Sequence, residues 1–226
     1  MEYFVGTSGW LYPWNKEGTL DWYIENSGLN AIELNASFYR FPFPNQVKGW
    51  AAKGKNLTWV VKVNRLVTHV HMLNEEAKEA YAKFLDLFKP LDQHIAYYLF
   101  QMPPKFTTNM QRRMLDFTKN FDEEKIAFEF RHKSWYSFDF SKLDFKGIIV
   151  TPDSPDICGN VWMKNKIVYL RFHGRSSWYS YNYSRKELAE MAEKAKALMP
   201  KKIFAFFNNN HDMLGNAREF AKILGE

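Results

Sequence analysis

The amino-acid sequence predicts an α/β fold, a single TIM-type (β/α)8 barrel that spans residues 1–226. Eight short β-rich runs recur along the chain, and helical patterns fill most of the gaps between them. Nearly every run also ends in polar or charged residues. Divided among eight units, the chain allows about 28 residues for each, enough for a strand, a short helix and two tight loops.

The predicted strands are short, apolar and rich in β-branched and aromatic residues. They are Tyr3–Gly6, Ala31–Leu34, Thr58–Val63, Ile95–Phe100, Ile126–Phe130, Gly147–Val150, Ile167–Phe172 and Ile203–Phe207. Side chains alternate between the two faces of a strand, so Tyr169, Arg171 and His173 share one face of the seventh. Because the other face of a barrel strand meets apolar helices, we expect the charged face to point into the barrel.

Helical patterns follow the first, third, seventh and eighth predicted strands. They cover Thr19–Ser27, Glu75–Lys89, Ser184–Leu198 and Leu214–Leu224. Ser184 and Glu187 form a capping-box pattern at the start of the third helix. Between the sixth and seventh strands, Pro152–Asn160 contains proline and glycine, and Val161–Lys164 resembles one strand of a hairpin. The helix in this unit is therefore predicted to be irregular or missing.

Composition limits the classes of protein that the chain could belong to. Apolar residues make up 46% of it, enough for a sizeable core, and the net charge of +6 favours acidic partners. Cys158 is the only cysteine, so no disulfide can form within the chain. The chain has neither an N-terminal hydrophobic leader nor a stretch of about 18 apolar residues, so we expect a cytoplasmic protein without a membrane span. Glycine-rich dinucleotide and P-loop motifs are also absent.

A series of motifs, taken in order, resembles the YecE-like proteins, which share the domain of unknown function number seventy-two. The motifs are Gly6-Thr7-Ser8-Gly9-Trp10, Glu33-Leu34-Asn35-Ala36-Ser37-Phe38-Tyr39-Arg40, Lys62, Thr68-His69, Gln101-Met102-Pro103-Pro104, Glu129-Phe130-Arg131-His132, Asp153, Arg171-Phe172-His173-Gly174 and Phe207-Asn208-Asn209. The resemblance spans almost the whole chain and implies a single TIM-type barrel, but it implies no particular reaction. A comparison with endonuclease-IV-like and xylose-isomerase-like barrels is an analogy of fold alone.

The active site of such a barrel lies at the C-terminal ends of its strands, where the polar residues of this chain gather. We expect Glu129, His173 and Asp153 to transfer protons. The candidate ligand-binding residues are Glu33, Asn35, Lys62, Gln101, Arg131, Arg171, Gly174, Asn208, Asn209, Trp10 and Tyr39. Cationic side chains among them predict an anion clamp, because guanidinium groups match phosphate and carboxylate oxygens. A structural network, in which carboxylates neutralise the arginines internally, is the alternative that stays open.

These residues favour an enzyme that binds a phosphate-bearing ligand: a nucleic acid, a nucleotide or a sugar phosphate. A phosphodiesterase-like hydrolase and an isomerase are both consistent with them. Two alternatives stay open, a noncatalytic nucleic-acid-binding module and a sugar isomerase or hydrolase acting on a neutral substrate. No cofactor or metal site is predicted. Zinc or manganese remains an alternative, although only His132 and His173 of the six histidines fall at strand ends. The expected partners are an anionic small molecule or a nucleic acid.

Overall fold

The computed structural model describes all residues from Met1 to Glu226, and its strands form a closed barrel. The strands are β1 (Glu2–Thr7), β2 (Ala31–Leu34), β3 (Thr58–Lys62), β4 (Ile95–Gln101), β5 (Ile126–Glu129), β6 (Ile148–Asp153), β7 (Met163–Lys164), β8 (Ile167–Phe172) and β9 (Lys202–Phe207). Eight of them pair in parallel, and pairing of β6 with β8 and of β9 with β1 closes the ring. The predicted (β/α)8 barrel is confirmed.

Six α-helices pack around the barrel. They are α1 (Leu20–Asn26), α2 (Pro44–Lys53), α3 (Glu75–Phe88), α4 (Gln111–Thr118), α5 (Arg185–Ala197) and α6 (Met213–Gly225). The capping box at Ser184 and Glu187 is present, with the Ser184 side chain accepting from the Glu187 backbone amide. Helices α2 and α4 are not predicted by the sequence pattern. Gly49 interrupts the apolar pattern of α2, and α4 has only eight residues, two turns of helix in which a 3.6-residue period is hard to recognise.

The sixth unit lacks a helix, as the sequence predicts, and a hairpin stands in its place. Strand β7 pairs antiparallel with β8 through Met163–Val168 and Lys164–Ile167. Asn165 and Lys166 form the turn with φ angles of 52° and 61°, the left-handed conformation typical of two-residue hairpin loops. The fifth unit is also irregular, with only short 3₁₀ turns between β5 and β6.

Apolar side chains form two separate layers. A cluster of 10 residues fills the barrel interior, including Ala31, Val60, Ala127 and Tyr169. A larger cluster of 52 residues lies between the strands and the helices. The expected alternation is therefore confirmed, because the strand positions that share a parity with the charged residues lie in the interior cluster. None of the helices is long and apolar enough to cross a membrane.

Candidate functional site

A fully buried arginine lies at the centre of the barrel's C-terminal opening, which we call the mouth. The Nε and Nη2 atoms of Arg171 donate to the two carboxylate oxygens of Glu33 at 2.9 and 2.6 Å. Its Nη1 atom donates to Glu129 Oε2 at 2.6 Å. The three side chains come from β8, β2 and β5, and none is exposed. Each nitrogen of the guanidinium group already has a carboxylate partner. Arg171 is therefore part of a structural network in which carboxylates neutralise the arginine, the alternative to an anion clamp.

Glu33 is held by two further hydroxyl groups. Ser8 Oγ donates to Oε1 at 2.6 Å, and Tyr169 OH donates to Oε2 at 2.8 Å. Burial, followed by the charge of Glu33, raises the pKa of Tyr169 well above 10, which keeps its phenol protonated and able to donate. Both oxygens of Glu33 are therefore fully occupied, and this carboxylate serves as a fixed negative charge beneath the mouth.

Glu129 lies between two arginines. Its Oε1 atom is 2.5 Å from Arg131 Nη2, and its Oε2 atom accepts from Arg171. Burial on its own would raise the pKa of Glu129, but the charges of Arg131 and Arg171 outweigh it and hold that pKa well below the usual value. Glu129 is therefore ionised throughout the physiological pH range, and its low basicity makes it a poor proton acceptor.

His173 completes this group, which we call the inward cluster: Glu33, Glu129, Arg131, Arg171 and His173. The Nε2 atom of the histidine lies 3.1 Å from Arg131 Nη2 and 3.5 Å from Glu129 Oε2. Because arginine can only donate, the shorter contact assigns Nε2 as an acceptor and the proton to Nδ1. Nδ1 is buried and has no partner. Burial, with Arg131 as the next cause, lowers the pKa of His173 to about 3, so the ring is neutral.

Arg131 lies at the rim of the mouth and keeps part of its donor capacity. Its Nε atom is buried without a hydrogen-bond partner, and Nη2 reaches Gln101 Oε1 only at 3.5 Å. The guanidinium group stacks over the Trp178 ring at 4.5 Å from the centroid. Only 8% of the side chain is exposed. Gln101 and Arg131 are thus brought together as the sequence predicts, but through a weak contact.

Lys62 is the second cationic group without saturated contacts at the mouth. Only 6% of the residue is exposed, and its Nζ atom makes no hydrogen bond and no ion pair within 4.0 Å. The Nζ atom lies over the Phe38 ring, 4.2 Å from its centroid. Burial, and then the charge of Arg171, lower the pKa of Lys62 to about 7. The amine is therefore part protonated and part neutral near neutral pH.

Asp153 lies on the opposite face of its strand from the inward cluster. It shares the parity of Ile149, which belongs to the outer apolar layer, whereas Ile148 and Val150 point into the barrel. Its Oδ2 atom accepts from Arg175 Nε at 3.0 Å, and Oδ1 accepts from the Gly159 amide at 2.8 Å. The structure therefore does not bring Asp153 together with Glu129 and His173 for proton transfer.

A second ion-pair group forms around Asp153. Arg175 Nη1 also contacts Glu187 Oε1 at 3.4 Å, and Tyr181 OH donates to the same oxygen at 2.6 Å. We call Asp153, Arg175 and Glu187 the outward cluster. It joins the end of β6 and the loop after β8 to the first turn of α5.

The remaining predicted residues divide between the mouth and the surrounding scaffold. Asn208 follows the inward parity of β9 and is half-buried, whereas Asn209 donates to Tyr181 O and Asn216 Oδ1, both at 2.7 Å. Tyr39 is 72% exposed. Gly174 has a φ of 102°, and a Cβ there would meet Ser177 O at 2.4 Å. Packing of its own loop therefore explains this glycine, without close approach of a ligand.

A cavity of about 280 Å³ opens beside the mouth, between the loops after β1 and β2 and helix α2. Two of the candidate ligand-binding residues predicted from the sequence, Trp10 and Asn35, line this cavity. The Oδ1 atom of Asn35 is buried and has no hydrogen-bond partner. Ser8 lines the cavity and also bonds to Glu33, so the cavity borders the inward cluster.

Three aromatic side chains that contact the charged groups, Tyr169, Trp178 and Phe38, are not among the candidate ligand-binding residues named from the sequence. The inward direction of Tyr169 is predicted, because it precedes Arg171 by two residues and shares its face, but its hydrogen bond to Glu33 is not. The contacts of Trp178 and Phe38 depend on loop conformation and give no periodic signal. No group of three or more His, Cys, Asp or Glu side chains is arranged to hold a metal ion.

Solved structures with the same barrel come from several bacteria. A DUF72 family protein from Enterococcus faecalis is 22% identical with a TM-score of 0.83, covering 99% of this chain and 96% of that one. A DUF72 family protein from Thermotoga maritima is 26% identical with a TM-score of 0.81, covering 100% of both chains. D-psicose 3-epimerase from Clostridium cellulolyticum, solved with D-tagatose, is 14% identical with a TM-score of 0.60, covering 100% and 97%.

The likeness to the epimerase is one of fold alone. Comparison with curated proteins gives no match. The family model described as "Protein of unknown function DUF72" matches residues 4–226, nearly the whole chain. This match includes every strand-end motif that carries the resemblance to the YecE-like proteins. The chain therefore belongs to the DUF72 family.

Proposed function

We propose that this protein is an enzyme that binds a small phosphate-bearing ligand at the mouth of the barrel, with Arg131 as the main contact for the anion. The observation that carries the proposal is the buried Nε atom of Arg131, which has no hydrogen-bond partner. Burying an unsatisfied charged donor costs free energy, and an anionic oxygen would remove that cost.

Among the three cations of the predicted clamp, Arg131 is the one best suited to bind an anion. Arg171 has a carboxylate partner at each nitrogen, so a ligand would have to displace Glu33 or Glu129. Lys62 is only partly charged near neutral pH, because burial lowers its pKa to about 7. Arg131 has a planar guanidinium group with an unpaired nitrogen, Nε, and it lies just inside the mouth, with 8% of the side chain exposed.

The recessed position of Arg131 favours a small ligand over a nucleic acid. Its side chain is only 8% exposed, and the Trp178 ring stacks against it. A terminal phosphate can enter such a site, whereas a polymer backbone needs an open groove along which successive phosphates are contacted. A nucleotide or a sugar phosphate therefore fits better than a duplex.

Proton transfer is assigned to Lys62. A general acid or base works best when its pKa lies near the working pH. Glu129 and His173 have pKa values far below neutrality, whereas that of Lys62 is about 7. In this proposal, Glu129 and His173 hold Arg131 in position and set the electrostatic potential of the mouth. Such clustering of perturbed pKa values at a barrel mouth supports an enzyme over a passive binding module.

The proposal is tested by calorimetric titration with inorganic phosphate, glycolaldehyde phosphate, a nucleoside monophosphate and a single-stranded oligonucleotide. Arg131→Gln should weaken binding of a small phosphate ester by at least about tenfold, which corresponds to about 1.4 kcal/mol. Arg112→Gln is the matched control, because Arg112 is 94% exposed on α4 and makes only one long ion pair. It should bind as the unchanged protein does.

Two results would count against this proposal. If Arg131→Gln and Arg112→Gln weaken binding equally, the protein has only a general basic surface. If the oligonucleotide binds far more tightly than every small phosphate, with a steep dependence on salt, the nucleic-acid alternative is favoured.

A further inference from the structure

Lys62 differs from a structural lysine in having a fixed backbone and an unengaged amine. Its own carbonyl oxygen accepts a 2.6 Å hydrogen bond from Ser37 Oγ at the end of β3. Asn64 Nδ2 donates to Ser37 O at 2.8 Å, which ties the following residues to the same loop. The start of the side chain is therefore held in place, while Nζ lies over the face of Phe38 and has no hydrogen-bond or ion-pair partner.

The charges around Lys62 come from every side of the mouth. Arg171 on β8 and Arg131 at the end of β5 disfavour its protonation, while Glu129 on β5 and Glu33 on β2 favour it. His69, after β3, is uncharged near neutral pH because burial and then the charge of Lys62 lower its pKa to about 4. No carboxylate lies within 4.0 Å of Nζ, so the amine is not held as one half of an ion pair.

We propose that Lys62 acts as a nucleophile and not only as a proton carrier, and that its amine forms an imine with the carbonyl group of an aldehyde or ketone ligand. The nitrogen lone pair attacks the carbonyl carbon and opens the C=O π bond, and a proton then moves from the nitrogen to the oxygen, which gives a carbinolamine. Loss of water then gives the imine, so amine plus carbonyl yields imine plus water with no oxidant or reductant. Protonation of the imine gives an iminium ion that draws electrons from an adjacent C–H or C–C bond.

The surrounding carboxylates suit such an intermediate. An iminium ion carries one positive charge, as the protonated lysine does, and Glu33 and Glu129 are fixed negative charges directed toward the barrel axis. The neutral amine fraction supplies the nucleophile near pH 7, which an ordinary lysine with a pKa near 10.4 provides only in about one part in 2,500.

The class of ligand that combines both features is a short phosphorylated aldehyde or ketone, and this part of the inference rests on the proposed function. Lys62 and Arg131 stand on strands separated by β4, so their backbones lie roughly 10 Å apart at usual strand spacing. Both side chains point into the mouth. A chain of a few carbon atoms would therefore place its phosphate at Arg131 and its carbonyl at Lys62.

The test is reductive trapping of the imine. The protein is incubated with glycolaldehyde phosphate and sodium cyanoborohydride, and the modified lysine is identified by mass spectrometry of the peptides. Lys62 should be modified at least about tenfold faster than any other lysine, because only a neutral amine attacks. Its modification rate should fall about tenfold for each pH unit below its pKa. Lys125→Arg, which removes a lysine paired with Asp92, should leave the trapping at Lys62 unchanged.

Unphosphorylated glycolaldehyde and Arg131→Gln separate the two proposals. Equal trapping of both aldehydes, unaffected by Arg131→Gln, would support the imine and overturn the phosphate site. Phosphate binding that depends on Arg131, with trapping spread evenly over surface lysines, would overturn the imine alone. Lys62→Arg should abolish specific trapping while retaining a cation and the fold. Specific adduct formation elsewhere in that variant at the original rate would also contradict the assignment.

Discussion

The inward and outward clusters are both ion-pair networks at the carboxyl ends of barrel strands, but they face opposite sides of the sheet. In the inward cluster, Arg171 and its two carboxylate partners are completely buried. In the outward cluster, Arg175 is 18% exposed and Glu187 is 20% exposed, so water screens their contact. The comparison shows that strand parity decides whether a strand-end charge belongs to the site or to the scaffold.

The largest expected difference between the clusters concerns stability. Arg171→Met should lower the free energy of unfolding by about 3–5 kcal/mol, because it leaves Glu33 and Glu129 buried without their shared cation. Arg175→Met should cost less, about 1–3 kcal/mol, because the buried Asp153 keeps the Gly159 amide and Glu187 is part exposed. Urea unfolding of both variants measures the two values. Equal losses would mean that the two clusters contribute alike.

Removing the unpaired amine of Lys62 should raise the free energy of unfolding, whereas the two arginine substitutions lower it. Lys62→Met should raise the free energy of unfolding at pH 7 by on the order of 2 kcal/mol, because a buried amine without a partner is costly. Its folded pKa of about 7 lies below the unfolded value, so the unfolded chain binds more protons between about pH 7 and 10. The stability of the unchanged protein therefore rises with pH in that window, and the difference between the two proteins should shrink. A destabilised Lys62→Met variant would show that the amine has a stabilising partner.

Acid should affect the inward cluster through His173. Its folded pKa of about 3 lies below the unfolded value of about 6.5, so unfolding takes up a proton in this window and stability falls as the pH falls. This residue contributes about 1.4 kcal/mol per pH unit. His173→Gln should reduce the slope of unfolding free energy against pH by that amount between about pH 6 and 5. An unchanged slope would show that His173 is protonated in the folded protein.

The smallest expected effect lies in the outward cluster. Glu187→Gln keeps one oxygen, which can replace Oε2 as the acceptor for the Ser184 amide, while its amide nitrogen replaces Oε1 beside Tyr181 OH and removes the charge facing Arg175. Because this ion pair is long and part exposed, the loss in thermal unfolding should correspond to less than about 1 kcal/mol. A loss as large as that of Arg171→Met would show that the outward cluster contributes as much to stability as the inward cluster does.

The sequence was sufficient to predict the barrel and most of its strand limits, because the apolar runs are bounded by turn and helix signals. It also predicted which residues of β8 point inward, since Tyr169, Arg171 and His173 alternate with apolar residues. For β6 this failed. The run Ile148–Thr151 is buried on both faces and carries no alternation, so nothing local indicates which way Asp153 points.

Which of the cationic side chains has a carboxylate partner could not be predicted either. Arg131, Arg171 and Lys62 look alike in sequence, because each lies at the C-terminal end of a strand on the face that points into the barrel. Their different states depend on distances across the closed barrel: Arg171 lies within 2.6 Å of two carboxylates, whereas Lys62 lies beyond 4.0 Å from any. Such distances depend on the shape of the closed barrel, and the spacing of residues along the chain does not indicate them.

The bonds of Arg171 also constrain the order of folding. Arg171 and Glu33 are separated by 138 positions in the chain, and Arg171 and Glu129 by 42. The first pair can form only after β8 has joined β9 and β1, when loop closure has ordered most of the chain. An open, partly assembled sheet would hold both carboxylates without their cation, which makes that intermediate unfavourable. The mouth should therefore be among the last parts to become native, and capacity to bind a ligand would report complete ring closure.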